Sequence, residues 1–210
     1  MRLPFTENSF LGVFAQYNSA LWPAVVALWI VSAFVVFRWW KRGAGDRSIH
    51  ALLAIHWVWS GIAYHWLYFR RINPAAALFA AVFIVQALIF IWLLLRKRGQ
   101  FKVSRSFRGV LSGCLLLYGF LYPFLGFLAG LEYPRMPLYA VPCPTTLLTA
   151  GMLLASYSLP RTAYILPIVW AGIGGSAALF MDIRADYALL AAGILLVLDL
   201  VAPKWLGRKA

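Results

Sequence analysis

Seven mainly apolar stretches of roughly 20 residues follow one another along a chain of 210 residues. A helix that crosses a bilayer needs ~20 such residues, and hydrocarbon accepts only structures that satisfy their own backbone groups. The stretches cover residues 20–40, 50–69, 74–95, 110–130, 138–159, 162–181 and 187–202. They predict an all-α integral membrane protein with seven transmembrane helices. Composition agrees, because only 12% of the residues are charged and 63% are hydrophobic. A soluble domain carries about 25% charge to cover its exterior. Residues 1–19 are mixed polar and aromatic, without the apolar core of a cleavable signal. They read as an extracytoplasmic tail or an interfacial helix, with residues 20–202 as one membrane domain and 203–210 as a basic cytoplasmic tail.

The formal net charge of +13 raises the question of nucleic acid, and its distribution answers it. With seven spans, one side of the membrane receives Arg2, Arg70, Arg71, Arg135 and Arg184. The other receives Arg38, Lys41, Arg42, Arg47, Arg96, Lys97, Arg98, Lys102, Arg105, Arg108, Arg161, Lys204, Arg208 and Lys209. By the positive-inside rule the second side is cytoplasmic, with the N-terminus out and the C-terminus in. The basic excess is then a topology signal, no nucleic acid is needed, and the partner it implies is the lipid bilayer. Cys114 and Cys143 fall at different depths, ~20 Å apart at 1.5 Å per residue, which is beyond disulfide reach.

A weak repeat runs through the apolar stretches. Residues 58–81 laid over 169–192 give ten identities, among them Val58/Val169, Trp59/Trp170, Gly61/Gly172, Ile62/Ile173, Phe69/Phe180 and Ile72/Ile183. A duplication would make the second and third spans correspond to the sixth and seventh. That arrangement is a 3+1+3 pseudo-repeat with both halves in the same orientation.

Polar groups within spans are costly, so each is a candidate site until a partner is found. Topology places His65, Asn73, Tyr122, Thr145, Asp182 and Asp186 in or near the outer leaflet, beside Cys143, with Gln86 near the midplane. Thr149 lies one turn below Thr145 on the same helical face. The segment Pro142-Cys143-Pro144-Thr145-Thr146 can be a helix that begins below the surface, pointing free N–H groups and partial positive charge inward. It can equally be an ordinary helix start, since proline suits a first turn. The same helix end would favour a Cys143 thiolate or a soft-metal ligand. His65 can carry a proton or bind a metal, or simply bond a neighbour. His56 can ligate one haem. Gly172, Gly174, Gly175, Ser176 and Ala177 make a slim stretch suited to close packing or to a hinge. No nucleophile–base–acid set, paired carboxylates or phosphate-binding loop is present, so the inventory leans away from an enzyme.

At these residues the chain resembles a known family. Trp59-x-Gly61-x-x-Tyr64-His65, Ile72-Asn73-Pro74-Ala75-Ala76, Tyr133-Pro134, Pro142-Cys143-Pro144-Thr145-Thr146 and Gly174-Gly175-Ser176-Ala177 are similar to a bacterial polytopic membrane family of unknown function, sometimes loosely labelled permease. The opening Phe5-Thr6-Glu7-Asn8, Tyr17-Asn18 and Trp22-Pro23 are similar too. The resemblance implies a multi-pass protein of the bacterial cytoplasmic (inner) membrane and supplies no activity or catalytic residues.

Three functions follow as expectations. The first is a small-solute or ion carrier with an outward-opening polar site lined by His65, Asn73, Gln86, Tyr122, Cys143, Thr145 and Thr149, with Asp182 and Asp186 near its mouth. The second is a metal- or haem-binding membrane protein using Cys143 with His65, or His56 alone. The third is a non-catalytic membrane subunit, in a homo-oligomer or beside a partner subunit.

Overall fold

The computed structural model describes residues 4–45, 47–181 and 183–202. Helix α1 spans Glu7–Arg42, so residues 7–19 and the first apolar stretch form one continuous rod. Thr6 and Ser9 start it with a reciprocal capping box, in which the Ser9 amide donates to Thr6 Oγ1 at 3.2 Å. Gly43, in the left-handed region at φ 73°, ends it. Strand β1 (Ala44–Gly45) leads into α2 (Arg47–Trp59), which widens into a π-helix over Ser60–Trp66. A 3₁₀ turn at Phe69–Arg71 precedes α3 (Ala76–Leu95), whose entry is held by Asn73 Oδ1 accepting from the Ala75 amide at 3.1 Å. Strand β2 (Gln100–Lys102) is followed by α4 (Phe107–Leu128) and α5 (Pro142–Leu154). Strand β3 (Ser156–Tyr157), α6 (Thr162–Met181), a 3₁₀ turn at Arg184–Asp186 and α7 (Tyr187–Val201) complete the described chain.

The expectation of seven transmembrane helices is corrected. The fold is all-α in its helices, seven among the described residues, but only four are long and apolar enough to cross a membrane: α1, α3, α4 and α6. The second stretch divides at Ser60, where Gly61 packs so closely on α3 that an added Cβ would lie 3.1 Å from the Phe83 Cβ and 3.2 Å from the Ala80 carbonyl. The fifth begins only at Pro142 and gives way to β3, leaving a 13-residue helix about 20 Å long against a hydrocarbon thickness of ~30 Å. The seventh contains a described helix of 15 residues. The 3+1+3 arrangement falls with the seven spans: its matched first helices, α1 and α5, have 36 and 13 residues.

The short helix α5 is the core of the bundle. Every residue of it except Cys143 is buried, and α2, α4, α6 and α7 pack around it. Two glycines let α4 approach. A Cβ on Gly119 would meet the Leu148 amide nitrogen at 3.4 Å, and one on Gly151 would meet Leu116 Cγ at 2.7 Å and the Leu116 nitrogen at 3.1 Å. Gly151→Ala should therefore lower stability by about 1–3 kcal/mol, the usual cost of overpacking. Gly113→Ala, with nothing within 4 Å of its would-be Cβ, is the matched control. Thermal melts of the two purified variants check this; equal melting temperatures would refute the close approach. Gly174 and Gly175 on α6 pack in the same way against Leu189 and Leu190 of α7, so this part of the slim stretch serves packing. Outward faces carry Phe34, Leu88, Leu117, Phe124 and Ile194, exposed to what must be lipid.

At one end of the bundle, β1, β2 and β3 pair antiparallel into a small sheet, with Ala44 opposite Lys102 and Phe101 opposite Ser156. These strands have two or three residues, too short for an alternating pattern to show in sequence. The sheet ties together the α1–α2, α3–α4 and α5–α6 connections, and Phe101 plugs it into the core.

Candidate functional site

The ends of α5 carry two polar clusters, and a third lies along its flank. At the end away from the sheet, the turn between α6 and α7 presents Asp186, which is 6% exposed. Tyr122 on α4 donates to Asp186 Oδ1 through a short hydrogen bond, and Cys143 at the start of α5 donates to Oδ2 at 3.3 Å. Tyr118, one turn before Tyr122, donates to the Ala185 carbonyl at 2.9 Å. One carboxyl group thus clasps α4, α5 and the α6–α7 turn. Burial raises its pKa from the usual 3.8 to about 6, a rise that hydrogen bonds from Tyr122 and Cys143 hold back because they favour the charged form. Cys143 acts here as a thiol donor. A thiolate beside this carboxylate would place two like charges in one buried site, so the helix-end argument for a thiolate loses to its neighbour.

Ile183, Arg184 and Ala185 of this turn also form one wall of a cleft of about 240 Å³, whose other lining residues are Glu7, Leu11, Ala129, Leu131 and Met181. Its wall residue Ala185 precedes Asp186 in the chain, while Asp186, Tyr122 and Cys143 themselves do not line it. A second crevice, of about 310 Å³, runs between α6 and α7 beside Ile168, Gly172, Leu190, Gly193 and Ile194 and is apolar.

Along the flank of α5, Thr149 Oγ1 donates to the Thr145 carbonyl at 2.7 Å and accepts from Trp57 Nε1 at 2.8 Å. Thr145 shares a 2.9 Å hydroxyl bond with Ser60, which donates to the Ala140 carbonyl at 3.0 Å. These bonds pin α5 to the junction of α2 and the π-helix.

At the sheet end, Arg108 of α4 forms a bidentate pair with Asp199 of α7. Its Nε lies 2.6 Å from Oδ1 and its Nη2 2.8 Å from Oδ2. The same guanidinium donates to the Ser156 and Leu153 carbonyls, each at 3.0 Å, so it caps the C-terminal end of α5. Tyr164 on α6 also reaches Asp199 Oδ2 at 3.2 Å. Both carboxylates therefore join α4 to the chain of α7 or its entry, with an end of α5 between them.

The sequence-derived candidates are dispersed over these environments. Tyr122, Cys143 and Asp186 meet in the clasp, and Thr145 and Thr149 meet on the flank of α5. Asn73 caps α3. Gln86 Nε2 donates to the Ala163 carbonyl at 3.2 Å, joining α3 to α6. His65 sits on the π-helix inside a box of aromatic rings, with Phe83 and Trp170 centroids each at 4.9 Å. Neither of its ring nitrogens has a hydrogen-bond partner among the described residues. His56 Nε2 bonds Ser32 at 2.8 Å beneath the Tyr139 ring. Asp182 lies outside the described residues. Among the described residues no three His, Cys, Asp or Glu side chains converge as metal ligands. Sequence reasoning missed Arg108, counted with the surface cations, and Ser60. A basic residue two positions before the fourth apolar stretch was the available signal for Arg108, with Asp199 as the acid that could meet it.

Long lipid-facing helices around a buried polar core define this chain as a polytopic integral membrane protein. It belongs to the family of unknown function DUF6064, whose profile matches residues 7–208. No curated protein and no solved structure matches the chain.

Proposed function

We propose that the protein is a carrier for a small solute or ion, with its site at the Asp186–Tyr122–Cys143 clasp and Thr145 and Thr149 below it. The observation that supports this reading is a buried, protonatable carboxyl group next in the chain to Ala185, which lines a cleft at this end of the bundle. A buried ionisable group in a membrane protein, with hydrogen-bond partners on three elements, is a natural site for an ion or a proton. The cleft end carries Glu7, Arg70, Arg71, Arg135 and Arg184, while Arg38, Lys41, Arg42, Arg47, Arg96, Lys97, Arg98, Lys102, Arg105 and Arg161 gather at the sheet end. By the positive-inside rule the cleft faces outward and the sheet faces the cytoplasm of a bacterial cell, with the protein in its inner membrane.

The test is thermal stability of the detergent-purified protein against a panel of anions, metals, sugars and amino acids. A ligand at 100 times its Kd should stabilise by about 2.7 kcal/mol. The carrier reading expects a shift from one solute class that Asp186→Asn abolishes, followed by Asp186-dependent uptake of that solute into proteoliposomes. Absence of any shift, together with reproducible co-purification of another membrane protein, would overturn it in favour of a membrane subunit.

A further inference from the structure

We infer that the sheet end is a preorganised docking surface for the phosphate headgroups of anionic phospholipids. The inference stands apart from the carrier reading. Its first support is an uncompensated concentration of cations. Arg38, Lys41, Arg42, Arg47, Arg96, Lys97, Arg98, Lys102, Arg105 and Arg161 are all exposed on the elements that end or begin at the sheet. The sequence supplies this end with only two acids, Asp46 and Asp199. Asp199 is buried against Arg108 and offers nothing to the surface.

The second support is that the backbone beneath these cations is fixed by folding. The pairing of Ala44 with Lys102 brings the end of α1, with Lys41 and Arg42, beside β2. Phe101 is fully buried, and its carbonyl accepts from Trp39 Nε1 at 3.1 Å, so β2 cannot swing outward to relieve repulsion. Like charges gathered on a fixed backbone favour a counter-anion. Holding them in place beforehand lowers the ordering cost when one binds.

The third support identifies the anion. Aromatic rings lie among the cations at the sheet end: Lys41 Nζ is 5.2 Å from the Trp40 ring, Arg98 Cζ is 5.5 Å from Trp92, and Lys102 Nζ is 5.6 Å from Tyr157. Trp40 and Trp92 are 56% and 41% exposed, with apolar faces that suit acyl chains and glycerol rather than water. A soluble phosphate would use the cations and ignore the rings; a phospholipid uses both.

The experiment titrates the full chain in neutral detergent with phosphatidylglycerol, phosphatidylcholine or inorganic phosphate and reads the melting temperature. Phosphatidylglycerol should raise it at concentrations where phosphatidylcholine and inorganic phosphate do not. The triple variant Arg96→Gln/Arg98→Gln/Lys102→Gln should need roughly a hundredfold more phosphatidylglycerol, at about fivefold per cation removed. Arg70→Gln/Arg71→Gln/Arg135→Gln removes the same charge from the opposite end and should leave the titration unchanged. In case the triple variant fails to fold, wild type alone must lose the phosphatidylglycerol shift as salt is raised. Equal shifts from phosphatidylcholine, reproduction by inorganic phosphate, or a salt-independent titration would each overturn the inference.

Discussion

Arg108→Leu should destabilise the protein by about 3–5 kcal/mol, the usual cost of leaving one member of a buried ion pair without its partner. Three losses combine in that substitution. Asp199, 1% exposed, keeps a charge with no guanidinium to meet it. The Leu153 and Ser156 carbonyls at the end of α5 lose their donors. The α4–α7 connection on this side of the bundle disappears. Arg108→Lys should rescue little, because an ammonium cannot bond two carboxylate oxygens and two carbonyls in one planar fork. The double variant Arg108→Leu/Asp199→Leu should recover much of the loss, since removing both charges removes the desolvation cost that the single variant exposes. Thermal unfolding of the four proteins in one detergent checks the set. A double variant no better than Arg108→Leu would show that the loss comes from the carbonyl cap instead of the stranded carboxylate.

Asp186 should make stability fall as pH rises through the weakly acid range. Unfolded, its carboxyl group titrates near the usual 3.8; folded, burial moves that to about 6. Between these values the folded protein binds more protons than the unfolded chain, so raising pH costs stability. The contribution is fully present below about pH 4, is lost as pH rises through about 6 and is level above about pH 7. A rise of roughly two pH units corresponds to about 3 kcal/mol. Other carboxyl groups titrate in the same range, so the measurement is the difference between wild type and Asp186→Asn across pH 4 to 7. Asparagine keeps an oxygen for Tyr122 without the charge, and its melting temperature should gain on wild type as pH rises. Tyr122→Phe, which removes a donor to the charged form, should move the step to higher pH. A constant difference between wild type and Asp186→Asn would mean that Asp186 keeps an ordinary carboxyl pKa.

Several of these features could be read from residue order alone. Pro142 and Pro144 marked the start of α5, and membrane depth put Tyr122, Cys143 and Asp186 at one end of the bundle without saying that they touch. His65 and Gln86 were drawn into the same site because depth in the membrane was the only coordinate available for them. Depth does not say which way a helix turns its side chain, and the two residues face the Trp170 box and the α6 backbone instead.

Membrane residence, the long helices α1, α3, α4 and α6, and the segregation of basic residues are properties of composition and order, because lipid and water sort side chains without reference to the rest of the fold. Which apolar stretches face lipid and which face protein was decided only by tertiary structure. Acyl chains are as apolar as leucine, so the hydropathy of a core helix such as α5 matches that of a spanning one. The sheet, the Arg108–Asp199 pair and the Asp186 clasp join residues 43 to 91 positions apart. Their formation depends on how α4, α5 and α7 pack, which no local pattern encodes.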